Sequence, residues 1–424
     1  MYISTLLARL FALIVVLNLV STAVAENWPQ WRGGKLDGIS QAKEIPQEWS
    51  NEKNVVWRVA LPGPAGATPV VWGDRIFLTA LDGEDLLLLA FDSTGKELWR
   101  RRVGTGNKSA RGDEGNMASP SPSTDGTYVW SFMGSGDLAC FDFDGKPIWS
   151  KNLQKEYGNF DIQFGMSSTP VLHDGKLFIQ SIHSGGAIVL ALDGKTGNEI
   201  WKHRRESDAK DECEHSYASP VLYQDEERAF LLTHGADYII AHDLKDGTEI
   251  WRAGGLNPKG KYNNTFRLVA SPVAVPGLIV VPSAKNGPVL GLRPDGKGDI
   301  TADKKFYHWS MPSNTPDVPS PLVYDGLVYL CRENGNLIVL DAKTGERYYE
   351  TRTYSDRYRA SPTAVDGKII LTSRDGTMTV LKPGKKFERL AENKMNESIS
   401  SSPAFSDSTM YLRTFDALYA IRKP

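Results

Sequence analysis

Short apolar runs alternate with polar turns along nearly the whole chain after residue 53. Typical runs are LFIQSI (177–182) and LIVLD (337–341), and typical turns are HDGK (173–176) and DAKTGERYY (341–349). Runs of this length bounded by Asp-Gly and similar turns predict antiparallel strands joined by hairpins. The sequence of four such strands then begins again, which predicts a repeated structural unit.

A Ser/Thr-Pro phrase opens each unit. Four antiparallel strands in a repeat of about 40–50 residues are typical of a β-propeller blade. We therefore predict an all-β fold, an eight-bladed propeller in which the phrase begins the innermost strand of each blade. That strand is a sheet edge, so the missing N–H of proline costs no hydrogen bond there. The prolines are Pro69, Pro120, Pro170, Pro220, Pro272, Pro321, Pro362 and Pro403.

The last unit, residues 401–423, holds only three strands, whereas KNVVWRVAL (53–61) has the pattern of a fourth strand. We predict that this N-terminal strand completes the last blade and so removes the exposed sheet edges. Each fourth strand is also predicted to carry one aromatic residue that packs between neighbouring blades; a row of sugar-binding platforms is the alternative. These aromatic residues are Trp57, Trp99, Trp149, Trp201, Trp251, Trp309, Tyr349 and Phe387.

The N-terminus has the pattern of a signal peptide over residues 1–25. Arg9 precedes an apolar run from Leu10 to Val20, and Ala23-Val24-Ala25 provides small residues for cleavage. The alternative is a membrane anchor, but the run is shorter than the roughly 20 residues that span a bilayer. We expect a lead segment over 26–53 and the propeller over 54–424, exported to the periplasm or cell envelope as a monomer without a transmembrane segment.

Composition narrows the classes of function. The 424 residues carry a formal net charge of −2, which does not indicate a nucleic-acid partner. The three cysteines, Cys140, Cys213 and Cys331, do not form the even, regularly spaced set of a disulfide framework.

The turns FDSTGKELW (91–99), LDGKTGNEIW (192–201) and LDAKTGERYY (340–349) resemble the quinoprotein-type repeat, named for pyrroloquinoline quinone (PQQ) dehydrogenases. The segment WPQWRGGKLDGIS (28–40) is similar to the lead segment of exported bacterial PQQ-like repeat proteins. The resemblance covers residues 54–424 and implies an eight-bladed propeller. The resemblance implies one of two functions. Members of one branch bind PQQ and Ca²⁺ and oxidise alcohols or sugars. Members of the other, the outer-membrane β-barrel assembly factor (BamB) branch, are scaffolds without a cofactor.

Several features depart from the dehydrogenase branch. Alcohol-oxidising members have two adjacent cysteines against the quinone, and no two cysteines are adjacent in this sequence. No set of carboxylates and amides matches that branch's calcium ligands, and its long insertions are missing. We therefore expect no cofactor and a non-catalytic scaffold that binds a protein, peptide or envelope component. The alternative is a PQQ- and Ca²⁺-dependent oxidoreductase.

The blade-to-blade connections are predicted to meet at one mouth of the central channel, where they would form a binding rim. We expect an anionic rim on blades two to four and a cationic rim on blades five to seven; the alternative is that these charges merely pair with one another. The predicted rim residues are Asp113, Glu114, Asn116, Gln163, Glu214, His215, Tyr217, Asn264, Arg267, Asp317, Arg332, Arg357 and Arg374.

Metal and hydrolase chemistry are weaker alternatives. His215 lies beside Glu212 and Glu214, and His183 and His234 occupy equivalent loops of neighbouring blades, which leaves a three-histidine site open. The spacing of a structural zinc site is missing, however, so we predict no metal. The sequence also contains no recognisable Ser-His-Asp signature, and we predict no catalytic residue.

Overall fold

The computed structural model describes residues 26–110, 112 and 114–424. The predicted signal peptide and the predicted rim residue Asp113 lie outside the described residues. Eight sheets, each built on four antiparallel strands, form an eight-bladed β-propeller, which confirms the predicted fold class. Within the described residues the helices are α1 (Leu153–Tyr157) and three 3₁₀ turns, Asp211–Glu214, Lys259–Lys261 and Lys304–Phe306.

The strands are short and follow the chain in order. The first half contains β1 (Ile39–Ser40), β2 (Val55–Ala60), β3 (Val70–Trp72), β4 (Arg75–Asp82), β5 (Asp85–Asp92), β6 (Glu97–Thr105), β7 (Ser123–Thr124), β8 (Tyr128–Phe132), β9 (Asp137–Asp142), β10 (Pro147–Asn152), β11 (Val171–His173), β12 (Lys176–His183), β13 (Gly186–Asp193), β14 (Glu199–Arg204), β15 (Val221–Gln224), β16 (Ala229–Gly235) and β17 (Tyr238–His242). The second half contains β18 (Glu249–Ala253), β19 (Val273–Val275), β20 (Leu278–Pro282), β21 (Val289–Leu292), β22 (Gly298–Asp299), β23 (Tyr307–Met311), β24 (Leu322–Tyr324), β25 (Leu327–Cys331), β26 (Asn336–Asp341), β27 (Arg347–Arg352), β28 (Thr363–Val365), β29 (Lys368–Thr372), β30 (Thr377–Leu381), β31 (Arg389–Lys394), β32 (Ala404–Ser406), β33 (Thr409–Arg413) and β34 (Ala417–Ile421).

Blades one to four consist of β3–β6, β7–β10, β11–β14 and β15–β18, and blades five to seven of β19–β21 with β23, β24–β27 and β28–β31. Blade eight joins both ends of the propeller, because β2 pairs antiparallel with β34, with Trp57 opposite Ala420. The predicted completion of the last blade by the N-terminal strand is therefore confirmed.

A ring of hydroxyl groups joins the innermost strands around the channel. In each blade the residue before the proline that opens the innermost strand is Ser or Thr. In blades two to eight its hydroxyl oxygen accepts the backbone N–H of the preceding blade's Ser or Thr, and these seven bonds are buried. These edge amides therefore find a partner in the next blade, which joins the sheets where they are closest. The pairs are Thr68–Ser121, Ser121–Thr169, Thr169–Ser219, Ser219–Ser271, Ser271–Ser320, Ser320–Ser361 and Ser361–Ser402, at 2.9–3.1 Å.

The ring corrects the register predicted for blade two. The sequence there reads SPSP, and its innermost strand follows Pro122 rather than Pro120. Ser121 occupies the ring position, whereas the hydroxyl of Ser119 accepts the N–H of Asn116 at 2.9 Å and so belongs to the connection before the blade.

The fourth-strand tryptophans pack between blades, as predicted. Five of the six indoles donate a hydrogen bond to a carbonyl in the last hairpin turn of the next blade, and the buried Trp251 indole does not. Trp99, Trp201, Trp251 and Trp309 are at most 8% exposed, which leaves no ring face for a sugar platform. The hydrogen-bonded pairs are Trp57–Ser93, Trp99–Phe143, Trp149–Gly194, Trp201–Leu244 and Trp309–Ala342, at 2.8–3.3 Å.

The assignment of Phe387 to this series is wrong. Ala391 takes the tryptophan position in blade seven, where it pairs with Val380. Phe387 lies in the turn before β31 and contacts the ring of Tyr349 from blade six edge-on, with centroids 6.2 Å apart. The last hairpin of blade seven therefore uses an aromatic ring where other blades place a glycine under the neighbouring indole.

The lead segment crosses the end of the channel. Its backbone and side chains hydrogen-bond the inner strands of several blades: Trp28 pairs with Val71 of blade one, and Gln30 with both backbone groups of Leu172 of blade three. Arg32, which is 1% exposed, donates to the carbonyl of Pro321 at 2.7 Å. β1 then runs parallel to β28 in blade seven. One short segment thus ties distant blades together.

The hydroxyl ring gives a first prediction. Replacing Ser219 with Ala leaves the buried N–H of Thr169 without its acceptor, and we expect a loss of about 1–3 kcal/mol in the free energy of unfolding. Urea denaturation measures the change. Ser219→Thr is the matched control, because threonine occupies two other positions of the ring; equal losses in both variants would contradict the role of the hydroxyl.

A second prediction concerns the contact between blades two and three. Gly197 has φ +72°, and a Cβ there would lie 2.7 Å from the Trp149 ring, whereas Gly175 in the same blade has φ +69° and open space around it. Gly175→Ala should cost about 1–2 kcal/mol from the left-handed backbone alone. Gly197→Ala should cost clearly more, because it also displaces the indole. Thermal unfolding of both variants tests this, and equal melting temperatures would contradict it.

Candidate functional site

Two cavities lie along the propeller axis. The outer cavity, of about 270 Å³, opens at the mouth where the blade-to-blade connections meet. The inner cavity, of about 140 Å³, is lined by the hydroxyl ring, and Trp31 of the lead segment contributes to its wall. Tyr217 and Arg359 line both cavities. The channel is therefore a funnel that is open at the mouth and covered by the lead segment at the other end.

The structure brings part of the predicted rim together. The other described rim residues do not line the outer cavity: Gln163 and Asn264 are exposed, whereas His215 and Arg374 are buried. Arg332 donates to the side-chain oxygen of Asn314 at 3.1 Å. The predicted residues that line the cavity are Glu114, Asn116, Tyr217, Arg267 and Asp317, and those that do not are Gln163, Glu214, His215, Asn264, Arg332, Arg357 and Arg374.

Glu114 joins two connections across the mouth. It precedes blade two, and its carboxylate accepts hydrogen bonds from Arg359, through both Nε and Nη2, and from Nη1 of Arg357 at 2.9 Å, both of which precede blade seven. The hydrogen bond from Arg359 is the largest of the causes that hold the pKa of Glu114 below its usual value. The carboxylate is therefore ionised and fixes the relative positions of the two connections.

Arg267 and two aromatic rings form another part of the wall. The guanidinium lies 5.3 Å from the centroid of the Phe164 ring, and its Nη1 lies 3.6 Å from the carboxylate of Glu212. The Phe164 N–H donates to the Tyr217 hydroxyl at 3.2 Å. Arg267 is only 8% exposed, so its charge is held against the Phe164 ring instead of extending into solvent.

Asp317 and Glu333 provide carboxylates from blade six. Asp317 accepts the backbone N–H of Lys285 at 2.7 Å, and its own N–H donates to Glu333 at 3.3 Å. The predicted division into an anionic and a cationic half is therefore not found in the cavity wall. Opposite charges are paired across the mouth, because ion pairing lowers the energy of charges that are partly withdrawn from water.

Sequence reasoning missed Arg359, Glu333 and Phe164 as lining residues. All three lie in loops at the mouth, within the segments DRYRA (356–360), RENG (332–335) and GNFDIQFGMS (158–167). For Arg359 a signal existed, since it stands two residues before the ring serine, next to the channel. Nothing in the local sequence distinguishes Phe164 from Phe160, which instead contacts the ring of His183.

The three histidines do not make a metal site. His215 Nε2 lies 2.9 Å from the Ser184 hydroxyl, and burial lowers the pKa of both His183 and His215. His234 is fully buried against the carbonyl of Ala270, and burial lowers its pKa to about 3. Among the described residues, no group of three His, Cys, Asp or Glu side chains is placed to hold a metal ion.

The cavity wall also suits a PQQ–calcium pair poorly. PQQ carries three carboxylates, and the two guanidiniums of the wall, Arg267 and Arg359, are already engaged by Glu212 and Glu114. Because no described group of three acidic or other metal-binding side chains could hold Ca²⁺ between them, the three carboxylates of the wall would repel those of PQQ. The volume of about 270 Å³ lies just below the roughly 300–1,000 Å³ typical of cofactor and ligand pockets.

No helix within the described ranges has both the length and the apolar character needed to cross a lipid bilayer. The three cysteines are free and buried, consistent with the absence of a predicted disulfide framework.

Comparison with known proteins gives one family. The family described as "Outer membrane protein assembly factor BamB" matches residues 48–117, 84–298 and 307–422. The chain is 22% identical over 229 residues to the outer membrane protein assembly factor BamB of Burkholderia pseudomallei, a match that covers 52% of each chain. It is 25% identical over 208 residues to a polyvinylalcohol dehydrogenase of a Pseudomonas species, covering 43% of this chain and 30% of that one.

The chain thus spans about half the length of the first curated relative and less than a third of the second. Among solved structures, BamB from Moraxella catarrhalis is similar with a TM-score of 0.64 and 13% identity, covering 87% of this chain and 99% of that one. At this identity the likeness concerns the fold alone.

A third prediction tests the ion pair across the mouth. Because the pKa of Glu114 is lower in the folded than in the unfolded chain, its stabilising effect is present above its ordinary pKa and is lost as the pH falls through the folded value. Glu114→Gln should therefore lower the free energy of unfolding by about 1 kcal/mol at neutral pH. The difference should disappear in acid, where both chains are uncharged at this position.

Urea titrations from pH 7 to pH 3 measure this difference. Glu346→Gln, an exposed change on the opposite face of blade six, is the control and should show little effect at any pH. A Glu114→Gln effect that does not change with pH would contradict an electrostatic role.

Proposed function

The chain belongs to the family of the outer membrane protein assembly factor BamB, and from this premise we propose that it is an exported, non-catalytic scaffold that binds a protein, peptide or envelope component at the channel mouth. The observation that carries the proposal is the funnel: its rigid ring and covered end support one open mouth, where connections of different sequence converge. Binding residues concentrate on loops held by a rigid scaffold.

The contrast between the two parts of the channel supports binding rather than catalysis. Ser or Thr recurs at the described ring positions of all eight blades, whereas the mouth changes in charge, aromatic content and length from blade to blade. The carboxylates and guanidiniums of the mouth are held by one another and by backbone amides, as in Glu114 with Arg359 and Asp317 with Lys285. Such fixed groups suit recognition of a complementary surface.

The N-terminal sequence and the bacterial relative both bear on the cellular location of the protein. The apolar N-terminal run has the pattern of a signal peptide, and the name of the bacterial relative places that protein's role at the outer membrane. We propose that this chain works in the periplasm or cell envelope as a monomer, with a protein component of the envelope as its partner.

An oxidoreductase is the second candidate, favoured by the similarity to polyvinylalcohol dehydrogenase. In that case PQQ and Ca²⁺ would bind at the same mouth. The engaged guanidiniums and the surplus of carboxylates in the wall speak against it.

A fourth prediction tests the scaffold. With a photo-crosslinking amino acid at the exposed rim positions Gln163 and Asn264, irradiation of intact cells should give discrete protein adducts. The same amino acid at Thr94 and Lys195, exposed turns on the opposite face, should give far weaker ones. Denaturing gels and mass spectrometry identify the products; adducts of equal strength on both faces, or none at the rim, would contradict the proposed site.

The oxidoreductase is tested in parallel on the purified chain. Calorimetric titration with PQQ in the presence of Ca²⁺ should show no tight binding, and dye-linked alcohol oxidation should not rise above background. Tight binding with turnover would establish the second candidate in place of the scaffold.

A further inference from the structure

The outer cavity has more negative than positive charge in its wall. Glu114, Asp317 and Glu333 contribute three carboxylates, and Arg267 and Arg359 contribute two guanidiniums. Both guanidiniums are engaged, Arg359 by Glu114 and Arg267 by Glu212 just outside the cavity. The cations of the wall therefore already have their counter-charges.

Two carboxylates in the wall lack a comparable partner. Asp317 accepts the backbone N–H of Lys285, and Glu333 accepts the backbone N–H of Asp317. A backbone amide orients a carboxylate but carries no net charge. Between described residues, no side-chain ion pair involves either Asp317 or Glu333, although Arg359 is close enough to feel both charges. A cation entering the cavity would therefore meet two oriented carboxylates.

The rest of the wall combines apolar and aromatic side chains with the polar residues Asn116, Ser119, Ser167 and Ser400. Phe164, Met166, Tyr217, Val269 and Val318 line the same cavity. Such a wall favours a ligand with an aliphatic stem, and aromatic rings attract a cation that approaches their faces. A small anion would find no apolar complement here, and a purely apolar group would leave the carboxylates desolvated without a partner.

From this juxtaposition we propose that the cavity receives a basic side chain, a lysine or arginine of the partner's polypeptide, with its stem along Met166 and Val318 and its charged head at Asp317 and Glu333. The proposal rests on the proposed function and names the chemistry of what the mouth recognises. The cavity volume of about 270 Å³ suits one such side chain rather than a folded segment. The partner is thus recognised by an exposed basic residue on a loop or extended strand.

A fifth prediction uses hexalysine as the probe, with hexaglutamate for comparison, in calorimetric titrations of the purified chain. Hexalysine should bind, more weakly as salt rises, and hexaglutamate should not. Glu333→Gln keeps the shape and the acceptor oxygen but removes the charge, and it should weaken hexalysine binding about fivefold. Glu346→Gln removes one charge from the opposite face of the same blade and should leave binding unchanged.

Val318→Lys gives a second, independent test, because it places a lysine in the cavity from its own wall. We expect this variant to lose hexalysine binding while circular dichroism stays unchanged. Equal weakening by Glu333→Gln and Glu346→Gln, or hexalysine binding that survives both cavity variants, would overturn the proposal. If rim crosslinks form in cells but hexalysine does not bind in the cavity, the inference of a basic side chain fails and the scaffold proposal stands. If no rim crosslinks form, the scaffold proposal itself fails.

Discussion

The hydrogen bond from a backbone N–H to the hydroxyl of the next blade is the interaction on which the rest of the propeller depends. An innermost strand of three residues, such as β11, has a partner on one side only, and it carries proline at its start. Without a lateral acceptor, its edge amide would be buried and unpaired at the crowded centre. The hydroxyl solves this with a small side chain, so eight sheets can approach one axis and still leave a channel.

The same constraint separates the part of each repeat that recurs in every blade from the part that differs between blades. The Ser or Thr directly before each proline must form a narrow, uniform ring, whereas residues further upstream lie outside the ring and are free to differ. The mouth consists of these preceding residues. That is why a carboxylate before blade two, Glu114, can meet guanidiniums before blade seven. The lead segment has the opposite role, since it covers the far end and restricts access to one side.

The repeat made most of the fold predictable, because strand length, turn glycines and the proline phrase all follow local rules. The prediction from the sequence was wrong where local rules allowed two answers. SPSP offers two phrases, and only the position of the neighbouring hydroxyl shows that Ser121 is the ring residue. The sequence predicted that the connections meet at the mouth, but not which side chains contact one another there. Glu114 and Arg359 are 245 residues apart, and no local pattern records that their connections meet.

The closure of blade eight has a consequence for folding kinetics. Arg58 on the N-terminal strand and Tyr419 on the last one are 361 residues apart, yet they share a hydrogen bond in one sheet. The propeller therefore cannot close until almost the entire chain has left the ribosome. Contacts of such long sequence separation make folding slow, and the unclosed blades expose strand edges in the meantime. During the interval between synthesis and closure, these edges are open to pairing with other chains.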